Sequence, residues 1–233
     1  MNFTVDSSSV RGWRAVRSIA ENASSWMRSA TWSRWRTSST SSTWPVPRTR
    51  RNISEIRGMV SITDRPAEVE DRKVPGHWEG DLVMGTRPSA VATLVERTSR
   101  YTTIVALPDG IKAEQVTPHL TRSLLGIPPQ LRRTLTWDRG GREIAEHQAI
   151  TTETRMPIYL CKPRSPWQRG TNENTNRLLR QYLPKGADLR TFSQADLDTI
   201  AHELNHRPRK THGYRTPAEV YADLLNSGDA LTT

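Results

Sequence analysis

From residue 59 onward, short apolar runs alternate with stretches whose apolar positions recur at helical spacing. Three runs come first. His77–Met84 and Ala90–Glu96 read as strands, and so do residues 101–107, where Thr103-Ile104-Val105-Ala106-Leu107 is a short, β-branched buried run. Residues 111–125 have helical spacing and end at Gly126 with Pro128-Pro129 beyond, a helix stop. The pattern then predicts a fourth strand over 131–137, a helix over 142–154 and a fifth strand over 157–161. A helix over 172–183 is stopped by Pro184 and Gly186. Ser193 with Asp196 three residues on predicts the N-cap of a helix through 205. Thr216-Pro217-Ala218-Glu219 is a capping box with proline at the first helical position. Residues 61–68 read as a polar, extended lead-in. Three adjacent strands followed by alternating helices and strands suit an α/β fold, a mixed sheet flanked by helices.

Residues 1–57 break this pattern. They contain no leucine and no lysine, and serine, threonine, arginine and tryptophan dominate. The tryptophans at 13, 26, 32, 35 and 44 follow neither a helical nor a strand period. Such text cannot bury a core, which predicts a disordered or poorly folded basic segment. Two readings remain open: a basic, aromatic arm that stacks on nucleic acid, or a segment without an evolved fold, translated from the wrong frame or start. The chain divides on this reading into 1–57, a domain over 58–225 and a tail over 226–233.

Composition narrows the partners. The 233 residues carry a formal net charge of +10, which favours a polyanion, nucleic acid before membrane. No apolar run approaches membrane-spanning length, and the N-terminus lacks an apolar signal core, so neither membrane insertion nor secretion is expected. The single cysteine, Cys161, sits in an apolar run and reads as buried strand packing.

Three acids stand at element ends. Asp81 lies in the first strand, Asp138 follows the fourth, and Glu173 opens the helix after the fifth. Hard divalent cations take oxygen ligands, and two ions held by carboxylates can drive an in-line phosphoryl displacement. Solvated surface acids are the plainer alternative. Along the last helix, Glu173, Arg177 and Arg180 share one face, while Leu178, Leu179 and Tyr182 share the opposite one. Lys162, Arg164 and Arg169 are candidate phosphate contacts, and Trp167 a candidate for stacking on a flipped base. Trp78 and Trp137 read as packing behind the acids, and His77 as structural.

His77-Trp78-Glu79-Gly80-Asp81-Leu82, Trp137-Asp138-Arg139-Gly140 and the block from Ser165 to Asn176 (Ser165-Pro166-Trp167-Gln168-Arg169-Gly170-Thr171-Asn172-Glu173-Asn174-Thr175-Asn176) resemble the three catalytic blocks of bacterial transposases of the insertion sequence thirty family. Arg65-Pro66-Ala67-Glu68-Val69-Glu70-Asp71-Arg72, Leu204-Asn205-His206-Arg207-Pro208-Arg209-Lys210 and Thr216-Pro217-Ala218-Glu219 are similar as well, in the family's order. The resemblance implies a ribonuclease-H-like, five-stranded mixed sheet of the retroviral-integrase catalytic-core type. It further implies Asp81, Asp138 and Glu173 as a metal-binding catalytic triad and two Mg²⁺ (or Mn²⁺) ions. The implied activity is DNA cleavage and strand transfer at element ends, by a homo-oligomer in the bacterial cytoplasm at the nucleoid. Arg177, Arg180, Arg169, Lys162, Arg164 and Trp167 would meet DNA. Two departures stand out. Such transposases begin with helix-turn-helix sequence, which residues 1–57 do not resemble, so a truncated or frame-disrupted copy is expected. One extra residue also intervenes after Gly140, where Gly141 and Arg142 both precede Glu143.

Two other functions compete. The chain could be an inactive DNA-binding remnant of a transposase. His202-Glu203-Leu204-Asn205-His206 also satisfies the H-E-x-x-H pattern of zinc proteases, although Arg207-Pro208 stops that helix; the bland reading is a core-facing or capping histidine pair.

Overall fold

The computed structural model describes residues 58–138, 143–162 and 170–229; of Thr171, Glu173 and Asp229 only the backbone is described. The expectations placed on residues 1–57, on the loop at 139–142 and on Arg164, Trp167 and Arg169 lie outside these residues.

Five strands form one sheet: β1 (His77–Met84), β2 (Ala90–Glu96), β3 (Thr102–Ala106), β4 (Thr134–Trp137) and β5 (Ile158–Leu160). Their order is β3-β2-β1-β4-β5. The first three form an antiparallel meander, with Asp81 opposite Thr93 and Thr93 opposite Ile104. β4 and β5 then add in parallel, β4 beside β1 with Gly80 opposite Trp137. This is the mixed sheet that the pattern predicts, with the five strands that the resemblance implies. β2 lies between two neighbours and is buried along its whole length, which explains its nearly unbroken apolar text.

Helices α1 (Ala113–Leu125), α2 (His147–Thr154), α3 (Gly170–Leu179), α4 (Gln194–Asn205) and α5 (Pro217–Asp229) cover the sheet. One apolar cluster joins Trp78, Leu94, Val105, Leu135 and Trp137 to residues of α1 and α2, with Tyr221 and Leu224 of α5 against it. On the other face Val83, Val91 and Ile104 meet Leu179, Leu197 and Leu204 of α3 and α4.

Both capping readings hold. The Ser193 hydroxyl accepts from the Asp196 amide, and the Asp196 carboxylate accepts from the Ser193 amide. Thr216 and Glu219 make the same reciprocal pair at the start of α5, and that helix runs on to Asp229, past the boundary read at 225. Other boundaries differ. The lead-in is not extended: Ile62–Asp64 and Ala67–Val69 are single 3₁₀ turns, the first capped by the Ser61 side chain. β4 spans only four residues, because Pro129–Leu131 forms a 3₁₀ turn and pairing with β1 begins at Thr134. α2 begins at His147, after a turn through 143–146. α3 ends at Leu179, where the amides of Gln181 and Tyr182 bond three residues back and tighten the chain into turns.

Candidate active site

The parallel pairing of β1 and β4 ends at Gly80 and Trp137. One step further come Asp81, still within β1, and Asp138, just past the carboxyl end of β4, on neighbouring strands whose backbones run about 4.8 Å apart. Ligand sites of open α/β sheets gather at such strand ends. Strand alternation sends Glu79, Asp81 and Val83 to one face, and Trp78 and Leu82 to the other. The clusters agree, since Val83 packs toward α3 and α4 while Trp78 and Leu82 pack with the opposite cluster.

Gly80 makes room for this arrangement. A Cβ there would stand 2.2 Å from Cε3 of Trp137, so the indole occupies the space a side chain would take. Trp137 is fully buried, and Trp78, also buried, donates its indole N–H to the Leu131 carbonyl at 2.8 Å. Both tryptophans pack behind the acids, as the sequence suggests.

α3 closes the site from above. Asn176 donates from Nδ2 to Oδ2 of Asp81 at 2.9 Å, and the Leu82 amide donates to Oδ1 at 2.9 Å. Asn172, one turn earlier, is fully buried. The Thr93 hydroxyl lies 3.3 Å from the Asp81 carbonyl and from the Oδ1 atoms of Asn172 and Asn176. Glu173 follows Asn172 directly in this helix. Beneath, Glu79 is fully buried and pairs with Arg97 at 2.5 Å, and its other oxygen accepts the Asn172 amide at 3.1 Å.

A further carboxylate, that of Glu143, lies within reach of the charges of both aspartates. Burial pushes the Glu143 pKa above the usual carboxylate range, and the charges of Asp138 and Asp81 push it the same way. A carboxylate whose pKa is raised by burial and by neighbouring acids marks a place that a bound cation would relieve. The donor set is all oxygen, which suits a hard divalent ion. Among the described residues no group of three His, Cys, Asp or Glu stands close enough to hold a metal; the Glu173 carboxylate is not among the described side chains.

The candidate DNA contacts differ in setting. Arg177 is exposed, with Nη2 donating to Asn174. Arg180 is half-buried and donates from Nη1 to the Met84 carbonyl at 2.8 Å, pinning α3 to the end of β1. Lys162 is exposed just past β5. His77 is buried with Nδ1 2.8 Å from the Thr134 hydroxyl, a structural setting. The protease reading finds no support. Glu203 is taken up by Tyr182 and Arg207, the two histidine rings stack with centroids 3.9 Å apart, and His206 Nδ1 lies 2.8 Å from the His202 carbonyl, a capping pair that is exposed rather than core-facing.

Sequence reasoning missed Glu79, Thr93, Arg97, Glu143, Asn172 and Asn176. Only the two asparagines left a signal, their spacing of four along one helix face.

Residues 71–166 match the family model described as the integrase core domain. The transposase for insertion sequence element IS1086 of Cupriavidus metallidurans is 50% identical over 183 residues, 77% of this chain and 53% of that one. Transposase InsI for insertion sequence element IS30A of Escherichia coli is 48% identical over 183 residues, 78% of this chain and 46% of that one. The transposase for insertion sequence element IS4351 of Bacteroides fragilis is 37% identical over 172 residues, 73% of this chain and 52% of that one. The chain spans about half the length of the curated relatives it matches. Among solved structures, the catalytic core domain of BIV integrase is similar at a TM-score of 0.48 and 19% identity, covering 65% of this chain and 97% of that one. With a matching integrase core domain and half its residues shared with such an enzyme over three quarters of its length, the chain is similar to the insertion-sequence transposases of the IS30 type.

Proposed function

We propose that this chain carries the catalytic core of a DDE transposase, cutting DNA at insertion-sequence ends and joining the freed 3′-hydroxyl to target DNA. One observation carries the reading: Asp81 in β1 and Asp138 just past β4 each follow the last residue of the parallel β1–β4 pairing, with Asp81 bonded to the helix that bears Glu173. Asp81, Asp138 and Glu173 would hold two Mg²⁺ or Mn²⁺ ions, which when bound supply Lewis acidity to an in-line displacement at phosphorus. The chain's own part is orientation. Asn176 and the Leu82 amide fix the Asp81 carboxylate, and the dry floor of Trp137 and Trp78 keeps water from beneath the strands. Arg177 and Lys162, with Arg164, Arg169 and Trp167, would meet DNA phosphates and a base. Arg180, tied to Met84, would act on DNA through the placement of α3. The partner is DNA, and the working form a homo-oligomer. No described helix is long and apolar enough to cross a membrane, in keeping with a place at the bacterial nucleoid.

Single-turnover cleavage of labelled element-end duplex in Mn²⁺ tests this. The unmodified chain is expected to release a nicked strand and Glu173→Gln to release none. Equal product from both would remove the catalytic claim. No product from either, with DNA binding retained, would favour the inert remnant.

A further inference from the structure

Glu79 lies two residues before Asp81 on the same face of β1, and it is 0% exposed. Its partner Arg97 is 3% exposed. One Glu79 oxygen meets Arg97 Nη1 at 2.5 Å. The other accepts the backbone N–H of Asn172 at 3.1 Å, in the first turn of α3. Arg97 is itself fixed, with Nη2 on the Val69 carbonyl at 3.0 Å and its amide on the His77 carbonyl at 2.9 Å.

A buried ion pair is a poor source of stability. Taking two charges from water costs about as much as their attraction returns, and an apolar pair of like volume serves the core equally well. The use of this pair lies in its second oxygen. First-turn amides of a helix have no partner within the helix, and a carboxylate set there both satisfies one and complements the helix dipole. The amide that Glu79 holds belongs to the residue directly before Glu173. One side chain therefore links the strand of the first acid to the helix start that bears the third.

We propose that Glu79, held by Arg97, is a positioning residue that fixes the first turn of α3 and so sets the backbone of Glu173 against Asp81 and Asp138. It touches neither metal nor DNA. This inference rests on the triad reading above.

The test replaces the pair by Glu79→Leu with Arg97→Met in the full chain, which removes both charges and the acceptor. A second protein carries Glu79→Gln with Arg97→Met, which restores an amide oxygen to receive the Asn172 N–H. The first is expected to keep its circular dichroism and to lose protection of the Asn172 amide from hydrogen exchange at least about tenfold, with β2 amides unchanged. Its Mn²⁺ affinity, measured by calorimetry without DNA, should fall about tenfold, the scale seen when a residue orienting metal ligands is removed. The glutamine protein should recover both within about threefold. In a Glu173→Gln background the leucine–methionine swap should cost no further Mn²⁺ affinity, because contributions that act through one residue do not add. Wild-type protection at Asn172 and wild-type Mn²⁺ affinity in the leucine–methionine protein would overturn the proposal; should that protein not fold, wild-type behaviour lacking in a folded glutamine protein would overturn it as well. If Glu173→Gln alone left Mn²⁺ binding untouched, the triad reading would fail instead, while the exchange result would still report on the tether.

Discussion

On one face of the sheet Trp78, Leu94, Val105, Leu135 and Trp137 meet α1, α2 and α5 in one apolar cluster. On the other, His77, Glu79, Asp81, Thr93 and Thr136 line the ground below and beside α3, and the apolar contacts retreat to Val83, Val91 and Ile104. Both faces are buried, yet they are held by different physics. Apolar packing is non-directional and tolerates repacking. Buried polar groups need a named partner at a fixed distance, or they cost more than they return. The first face therefore supplies stability, and the second supplies position.

The sharpest way to separate them is Asp81→Asn. Strand cleavage in single-turnover assay should fall by about a thousandfold or more, the scale of losing a group that stabilises transition-state charge. The thermal midpoint should hold or rise, since the like charges facing Glu143 lose a member. Trp137→Ala acts on the opposite face and should cost about 3–5 kcal/mol in urea unfolding, with a cavity behind Gly80. A change in cleavage rate below its midpoint as large as that for Asp81→Asn would break the division between faces.

His77 sets a pH boundary for the polar face. Burial, with Arg133, Arg97 and Arg65 adding to it against the pull of Glu68, lowers its pKa from 6.5 to about 4. Its folded pKa lies below the unfolded value, so its contribution is whole above pH 6.5 and is lost as the pH falls through about 4. His77→Asn should flatten unfolding free energy over that window, by on the order of 2 kcal/mol between its ends. An unchanged slope would mean the ring is not held neutral. The smallest effect is expected for Asn176→Ala. Mn²⁺ affinity should drop about tenfold through a freed Asp81 carboxylate, while unfolding free energy changes by about 1 kcal/mol. The reverse pattern would place Asn176 with the packing residues.

Strand limits and caps were legible because they are local. The limits of β1 and β2, the Ser193–Asp196 box and the Thr216–Glu219 box follow from neighbouring residues alone. The start of β4 was not legible, since it is set by where β1 offers a partner rather than by the residues from 131. The 3₁₀ turns of the lead-in were missed for a similar reason. Leu160 donates to the Val60 carbonyl and Arg65 to the Thr136 hydroxyl, so this polar text is shaped by the strands it crosses. The acids were visible as residue types at element ends, whereas Glu79, Arg97 and Asn172 carried no mark of their joint role.

The order of elements, their periodicity and the three acidic blocks belong to the sequence by itself, because each depends on residues a few positions apart. Which acids share a face, which carboxylate is buried against Arg97, and which helix amide it receives were decided only in the tertiary structure. Asn172 stands 93 residues beyond Glu79 along the chain, and a contact of that kind exists only once the sheet has brought β1 beneath α3.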